Sequence, residues 1–305
     1  MFANFDKILE RAKASKRKSV MAVAAAEDEP VIQAALRAKA DGIADVIFVG
    51  DAEKICQIIA AQGEDPANYA VVTAAPENAG QAAVNLVREG RANFLMKGLM
   101  DTKAILGPVV KRENGLRTGR VMSHFALNEL PGYHKLIVNT DGGMLTYPTL
   151  EDKVSIVENA VLTLRAMGYE CPKVAVLAGV EKLNPKMIET VEANALMEMN
   201  REGKITGCIV EGPVSYDVAL SAEIAAHKKV PYTCCGDYDV LVAPNLAAGN
   251  ILGKSWSVTA GAKMAGIIVG AKVPIVLTSR GSTAEEKYLS IALAAVAAPE
   301  VANEG

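Results

Sequence analysis

Short apolar runs alternate with amphipathic stretches along almost the whole chain. Ser19 to Ala25 is apolar on both faces, the pattern of a strand covered from two sides. Asp28-Glu29-Pro30 then offers an N-cap and a first-turn proline for a helix through Ala40. The pattern recurs three times: Ala44 to Val49 with a helix to about Gln62, Tyr69 to Thr73 with a helix to Glu89, and Asn93 to Met96 with a helix from Asp101. Strands of this kind separated by helices predict βαβ units and a mainly parallel sheet. Val121 to Leu127 and Leu136 to Asn139 read as two more strands. A second α/β set follows: helix Glu151 to Met167, strand Val174 to Leu177, helix Pro185 to Asn200, strand Gly207 to Val210, helix Ser215 to His227 and strand Val240 to Ala243. A helix around Asn250 to Thr259, strands Gly266 to Val269 and Pro274 to Thr278, and an Ala-rich helix Ala284 to Ala298 close the chain.

A length of 305 residues exceeds one ordinary domain, so two α/β domains with a cleft between them are expected. Asp141-Gly142-Gly143 is the best candidate for the crossing. Aromatics make up only 5% of the chain, so Ala, Val, Ile and Leu must build the core. A formal charge of −3 argues against a nucleic-acid surface, which needs clustered positive charge. The one basic run, Lys13 to Lys18, reads as a solvated face. No apolar run approaches the roughly 20 residues needed to span a bilayer, and the first residues lack the order of a signal peptide. The five cysteines match no zinc spacing and read as free thiols in a reducing compartment, so a cytoplasmic location is expected.

Open parallel sheets bind ligands beyond the carboxyl ends of their strands. Four strand ends carry polar turns: Met96-Lys97-Gly98, residues 211–217 (EGPVSYD), residues 244–250 (PNLAAGN) and residues 278–283 (TSRGST). Together they point to a site for an anion. A helix N-terminus offers free N–H groups and partial positive charge, Ser279, Ser282 and Thr283 add hydroxyls, and Arg280 can hold two phosphate oxygens at once. Glu285 and Glu286 stand about a turn later, either complementing the helix dipole or supplying a general base. Gly253-Lys254-Ser255 imitates the end of a phosphate loop, but Ala248 occupies the position of its first glycine. None of the three histidines pairs with a nucleophile motif, and His124 reads as structural.

Met96-Lys97-Gly98, Gly115-Leu116-Arg117-Thr118-Gly119, Met122-Ser123-His124, Asn184-Pro185-Lys186-Met187, Glu211-Gly212-Pro213, Pro244-Asn245, Gly249-Asn250 and Leu277-Thr278-Ser279-Arg280 occur in order. With residues 18–51, they resemble the phosphate butyryltransferase and phosphotransacetylase family over nearly the whole chain. The resemblance implies a fold like that of isocitrate and isopropylmalate dehydrogenases. The segment from about Ala265 returns to the first domain in that fold, giving domains of residues 1–140 plus 265–305 and 141–264. It also implies direct transfer of a short acyl group, butyryl or branched rather than acetyl, between coenzyme A and inorganic phosphate. Both are substrates, and no metal or tightly bound cofactor is expected. Arg280, Ser279, Glu286 and Glu285 are the implied catalytic set. Lys97, Gly98, Arg117, Arg120, Ser123, Asn245, Asn250, Lys254, Gly281 and Ser282 are the implied substrate and phosphate contacts. A homodimer or larger homo-oligomer, with no membrane or nucleic-acid partner, is implied as well.

Two departures stand out. Acetyl-specific relatives carry Asp at the 286 position and butyryl relatives an acid at 285, so both glutamates remain candidates, with Glu286 preferred. Leu106-Gly107 stands where relatives show Leu-Arg. Two rival readings follow: a coenzyme A or acyl phosphate binding protein without turnover, and a metal-dependent dehydrogenase of the same fold using Asp217, Asp237 and Asp239.

Overall fold

β-strands with apolar residues on both faces, such as Ser19–Ala24 and Ala44–Gly50, need cover on both sides of the sheet. The computed structural model describes residues 1–15, 19–279 and 281–299. Arg280 and residues 16–18 of the basic run lie outside the described residues. The chain divides into a unit of Phe5–Gly119 with Ala265–Gly305 and a unit of Met1–Asn4 with Arg120–Met264.

The first of these units begins with α1 (Phe5–Lys13), β1 (Ser19–Ala24), α2 (Glu29–Ala40), β2 (Ala44–Gly50) and α3 (Ala52–Ala61). It continues through β3 (Ala70–Thr73), α4 (Ala79–Arg88), β4 (Phe94–Lys97) and α5 (Thr102–Val110). The other unit contains β5 (Ser123–Glu129), β6 (Ile137–Thr140), α6 (Leu150–Ala166), β7 (Lys173–Leu177), α7 (Ile188–Arg201) and β8 (Ile209–Val214). Short helices α8 (Tyr216–Leu220) and α9 (Ala222–His227) lead to β9 (Val240–Val242) and α10 (Leu246–Thr259). The chain then returns through β10 (Lys263–Val269), β11 (Ile275–Val276) and α11 (Ala284–Ala297).

Strand order is β3-β2-β1-β4-β11-β10 in one unit and β5-β6-β9-β7-β8 in the other. All pairs within these runs are parallel except β10 with β11 and β5 with β6. The architecture is α/β and mainly parallel. In the first unit α11 lies against α1 and α2, and its Tyr288, Ile291, Ala292 and Leu293 are fully or nearly fully buried. In the other, Ile137, Leu177, Val214, Tyr238, Leu241 and Trp256 share one core. Among the described residues no helix is long and apolar enough to cross a membrane.

Four expectations need correction. The chain leaves the first unit after Gly119, not at residue 140, because β6 pairs with β9 and so β5 and β6 belong with the later strands. Asp141-Gly142-Gly143 is therefore an internal turn of that unit and not a crossing. The helix expected from Ser215 to His227 is broken at Ser221, whose extended backbone (φ −135°, ψ 111°) ends α8, while its hydroxyl accepts from Ile224 N to cap α9. The helix expected from Asn250 starts at Leu246, since Asn245 Oδ1 accepts from Ala248 N at 3.0 Å as its N-cap.

Candidate active site

Parallel pairing brings the ends of β1, β4 and β11 together. Ala24 stands opposite Lys97 in one pair, and Val276 opposite Met96 in the next. The turn after β4 therefore lies beside residues 277–279, across a sequence gap of some 180 positions. A cavity of about 550 Å³ opens there, with Lys97, Gly98, Thr278, Ser279, Ser282 and Lys287 on its polar side. Pro30, Val31, Leu99 and Met100 give it an apolar wall. Three helices begin at this end of the sheet, with Asp28, Asp101 and Thr283 as the N-caps of α2, α5 and α11. Asp28 and Asp101 line the cavity too. Converging helix N-termini favour an anion.

The turn after β4 is set by close contact. Gly98 N donates to Ala24 O at 2.8 Å and Leu99 N to Ala25 O at 2.7 Å. A Cβ on Gly98 would stand 2.0 Å from Ala25 O, so the backbones approach this closely only with glycine. Lys97 Nζ bends back to donate to Gly98 O at 3.3 Å and Met100 O at 3.0 Å.

The opposite wall is the loop into α11. Ser282 N donates to Ser279 O, and the two hydroxyls stand 3.3 Å apart. Ser282 Oγ donates to Glu286 Oε1 at 2.9 Å, and Thr283 Oγ1 caps the helix by accepting from Glu286 N. The two candidate glutamates diverge as a 100° step per residue requires. Glu285 turns to Arg37 of α2 at 2.6 Å, and that guanidinium lies 3.7 Å over the Tyr288 ring. Tyr288 in turn donates to Asp41; burial and that bond push its phenol well above the ordinary 10. Gly281 is exposed and has room for a side chain.

The remaining expected contacts have other surroundings. Arg117 is exposed in a bridge to Ala271, while Thr118 Oγ1 donates to Gly270 O. Arg120 Nε donates to Asn159 Oδ1 at 2.8 Å, and Asn159 Nδ2 donates to Val121 O and to Ser123 Oγ. Ser123 is fully buried, and its hydroxyl accepts from Asn159 of α6. Asn250 Nδ2 donates to Gly142 O at 3.1 Å. Lys254 is exposed within α10, and the imitation phosphate loop is thus an interior stretch of a helix and not a loop.

Asp141 is a residue whose importance the sequence hid. Its buried carboxylate accepts from the backbone N–H groups of His124, Gly143, Met144 and Leu145 at 2.8–3.1 Å. Gly142 and Gly249 then pack backbone to backbone: a Cβ on either would fall under 3.0 Å from the other's main chain. Burial depresses the His124 imidazole below its ordinary 6.5, outweighing the pull of Asp141, so the ring is neutral. Glu211 is equally engaged, accepting from Thr233 N, Thr233 Oγ1, Cys234 N and Tyr238 Oη. The aspartates a metal-dependent dehydrogenase would need are paired with lysines instead: Asp237 and Asp239 with buried Lys135, and Asp217, held at about 2 by Ser215 and Lys228.

Lys287 is the wall residue that motif reading passed over. The signal was present: it is the one charged residue in the stretch from residue 287 to 298, which is apolar apart from it, Tyr288 and Ser290.

Comparison with known proteins joins these features. A family model described as phosphate acetyl/butaryl transferase matches residues 57–295. A phosphate butyryltransferase of Clostridium acetobutylicum is 43% identical over 299 residues, covering 98% of this chain and 99% of that protein. A phosphate acetyltransferase of Thermotoga maritima is 41% identical over 291 residues, covering 95% and 98%. The crystal structure of a branched-chain phosphotransacylase from Enterococcus faecalis V583 superposes with a TM-score of 0.80 at 32% identity, covering 92% of this chain and 98% of that one. A 4-hydroxythreonine-4-phosphate dehydrogenase from Klebsiella pneumoniae shares the fold alone, with a TM-score of 0.53 at 16% identity over 92% of this chain and 100% of the other. Agreement over this length, in sequence and in fold, makes the chain a member of the phosphate acetyl/butyryl transferase family.

Proposed function

We propose that this protein is a phosphate acyltransferase that moves a short acyl group, butyryl or branched rather than acetyl, between coenzyme A and inorganic phosphate. The observation that carries this reading is the cavity where the Lys97-Gly98 turn meets the loop of Ser279 and Ser282 ahead of α11. Cations, hydroxyls and helix N-termini on one side suit phosphate, and Pro30, Val31, Leu99 and Met100 on the other suit a small acyl chain. Phosphate attacks the thioester carbonyl, the C–S bond breaks, and coenzyme A leaves as a thiolate. In the reverse direction a carboxylate takes the thiol proton and the thiolate attacks the acyl phosphate. Holding both substrates together removes the cost of a bimolecular encounter, and Arg280 with the helix N–H groups offsets the developing oxyanion.

Glu286 is the proposed base, since its carboxylate reaches the wall residue Ser282, whereas Glu285 is turned to Arg37. Ser279 and Ser282 are assigned to phosphate. The location is proposed to be cytoplasmic and the assembly at least a homodimer. The test is thiol release from butyryl-CoA that depends on added phosphate. Absence of release with butyryl-, isobutyryl-, propionyl- and acetyl-CoA overturns the activity. Glu286→Gln should slow transfer to coenzyme A and flatten the acidic limb of its pH profile. If Glu285→Gln, Asp28→Asn or Asp101→Asn alone does so, the base belongs there.

A further inference from the structure

Lys287 is the fourth residue of α11, is 5% exposed, and contributes to the cavity wall. Among the described residues its ammonium makes a single hydrogen bond, to Ser282 O at 2.9 Å, and no ion pair. The cavity's carboxylates, Asp28 and Asp101, do not pair with it. The other strongly buried lysines differ: Lys135 is held by Asp237 and Asp239, and Lys153 by Glu192. A buried ammonium without a counter-charge is costly, and two of its three N–H donors have no partner among the described residues, on a side chain that lines the cavity. Neutral alternatives of similar length would fill the helix face without that cost.

We propose that Lys287 is a phosphate-binding residue: its ammonium donates to an oxygen of inorganic phosphate, or of the phosphoryl group of an acyl phosphate, bound beside Ser279 and Ser282. The substrate supplies the counter-charge that the described residues do not. This rests on the acyltransfer reading of the cavity. It adds a contact that the strand-end motifs did not contain, on the helix and not in the loop. The bond to Ser282 O holds the ammonium next to a loop residue that also lines the cavity.

The experiment compares wild type, Lys287→Met and Lys287→Arg in two ways. The first is thermal stabilisation by inorganic phosphate at constant ionic strength, with chloride as the control salt. The second is the KM for phosphate against the KM for butyryl-CoA. Lys287→Met should abolish the phosphate-induced shift and raise the KM for phosphate tenfold or more, while the KM for butyryl-CoA stays within twofold. Its melting temperature without phosphate should equal or exceed wild type, because an uncompensated buried charge is gone; Lys287→Arg should fall between in the KM for phosphate. An unchanged phosphate shift and KM in Lys287→Met overturns the proposal. A lower melting point with both KM values changed alike overturns it too, as does failure to fold, since each makes the lysine a structural pin for Ser282. A rise in the KM for butyryl-CoA alone assigns the ammonium to the coenzyme and likewise overturns it. If wild type turns over no acyl-CoA but shows a Lys287-dependent phosphate shift, the phosphate site stands and the transferase reading falls.

Discussion

Gly98→Ala places one methyl group where the structure has no room for it. The added Cβ would stand 2.0 Å from Ala25 O and 2.8 Å from Ala24 O, where contacts under 3.0 Å essentially never occur. Both obstacles are backbone atoms of the chain leaving β1, so no side chain can swing aside. The ends of β1 and β4 must part by about 1 Å, the difference between 3.0 and 2.0 Å. That strains the bonds from Gly98 N and Leu99 N, at 2.8 and 2.7 Å. Overpacking costs about 1–3 kcal/mol and each weakened hydrogen bond about 0.5–1.5 kcal/mol, so the loss should be roughly 2–6 kcal/mol. Thermal unfolding should move down by roughly 5–15 °C. The same displacement shifts Lys97 in the cavity, and a 1 Å error in a positioning group can cost about a hundredfold in turnover. Gly107→Ala is the matched control: it lies within α5 with nothing within 4 Å of the new Cβ, so it should be neutral or stabilise by about 0.5–1 kcal/mol. If Gly98→Ala melts and turns over like Gly107→Ala, the close approach does not govern this turn.

Two further outcomes are expected. Arg37→Ala removes a half-exposed ion pair, so it should cost only about 0.2–1 kcal/mol in a melt yet lower kcat by roughly threefold or more, with partial recovery in Arg37→Lys; equal kcat would show that Glu285 needs no clamp. Glu211→Gln must set an amide N–H₂ against a backbone N–H, that of Thr233 or of Cys234, whichever oxygen it replaces, and should destabilise by about 1–3 kcal/mol in urea unfolding at pH 7. Burial pushes the Glu211 carboxyl up, but the bonds from Tyr238, Thr233 and Cys234 together hold it below its ordinary 4.5. The stabilisation is therefore present above the unfolded carboxyl range and lost as pH falls through the lower folded value, so the gap between wild type and Glu211→Gln should close below about pH 4.

What the sequence made legible was whatever depends on nearby residues. The strands from Ser19, Ala44 and Tyr69 onward, their helices, and the polar turns at strand ends follow from apolar runs and capping residues. The unit boundary did not, because the place of β5 and β6 depends on pairing with β9, about a hundred residues later. The break at Ser221 was hidden because Val218, Ala219 and Leu220 before it and Ala222 and Ile224 after it continue a helical pattern. Asp141 looked like an ordinary turn residue, since its four N–H partners count only once the chain has folded around it. Lys287 was overlooked because strand-end reasoning looks at loops, while its charge enters the site from within a helix.

The first turn of α11 shows why the two glutamates could not be told apart before the fold was known. Residues 285, 286 and 287 follow one another by 100° steps, so each must face a different direction. The sequence fixes those angles relative to one another, but not the rotation of the whole helix. That rotation is set by contacts from far along the chain: Arg37 holds Glu285 and stacks on Tyr288, and Tyr288 reaches Asp41, all from α2 and the residue that ends it. With Glu285 drawn to α2, Glu286 meets Ser282 and Lys287 meets the cavity. A rotation of one step would present Glu285 where Glu286 now stands and send the ammonium elsewhere. The clamp on α2 thus sets the directions of the Glu286 carboxylate and of Lys287, and the same α2 contributes Pro30 and Val31 to the apolar wall. A change in α2 should therefore be felt in both acyl and phosphate binding, even though α2 carries none of the implied catalytic or contact residues.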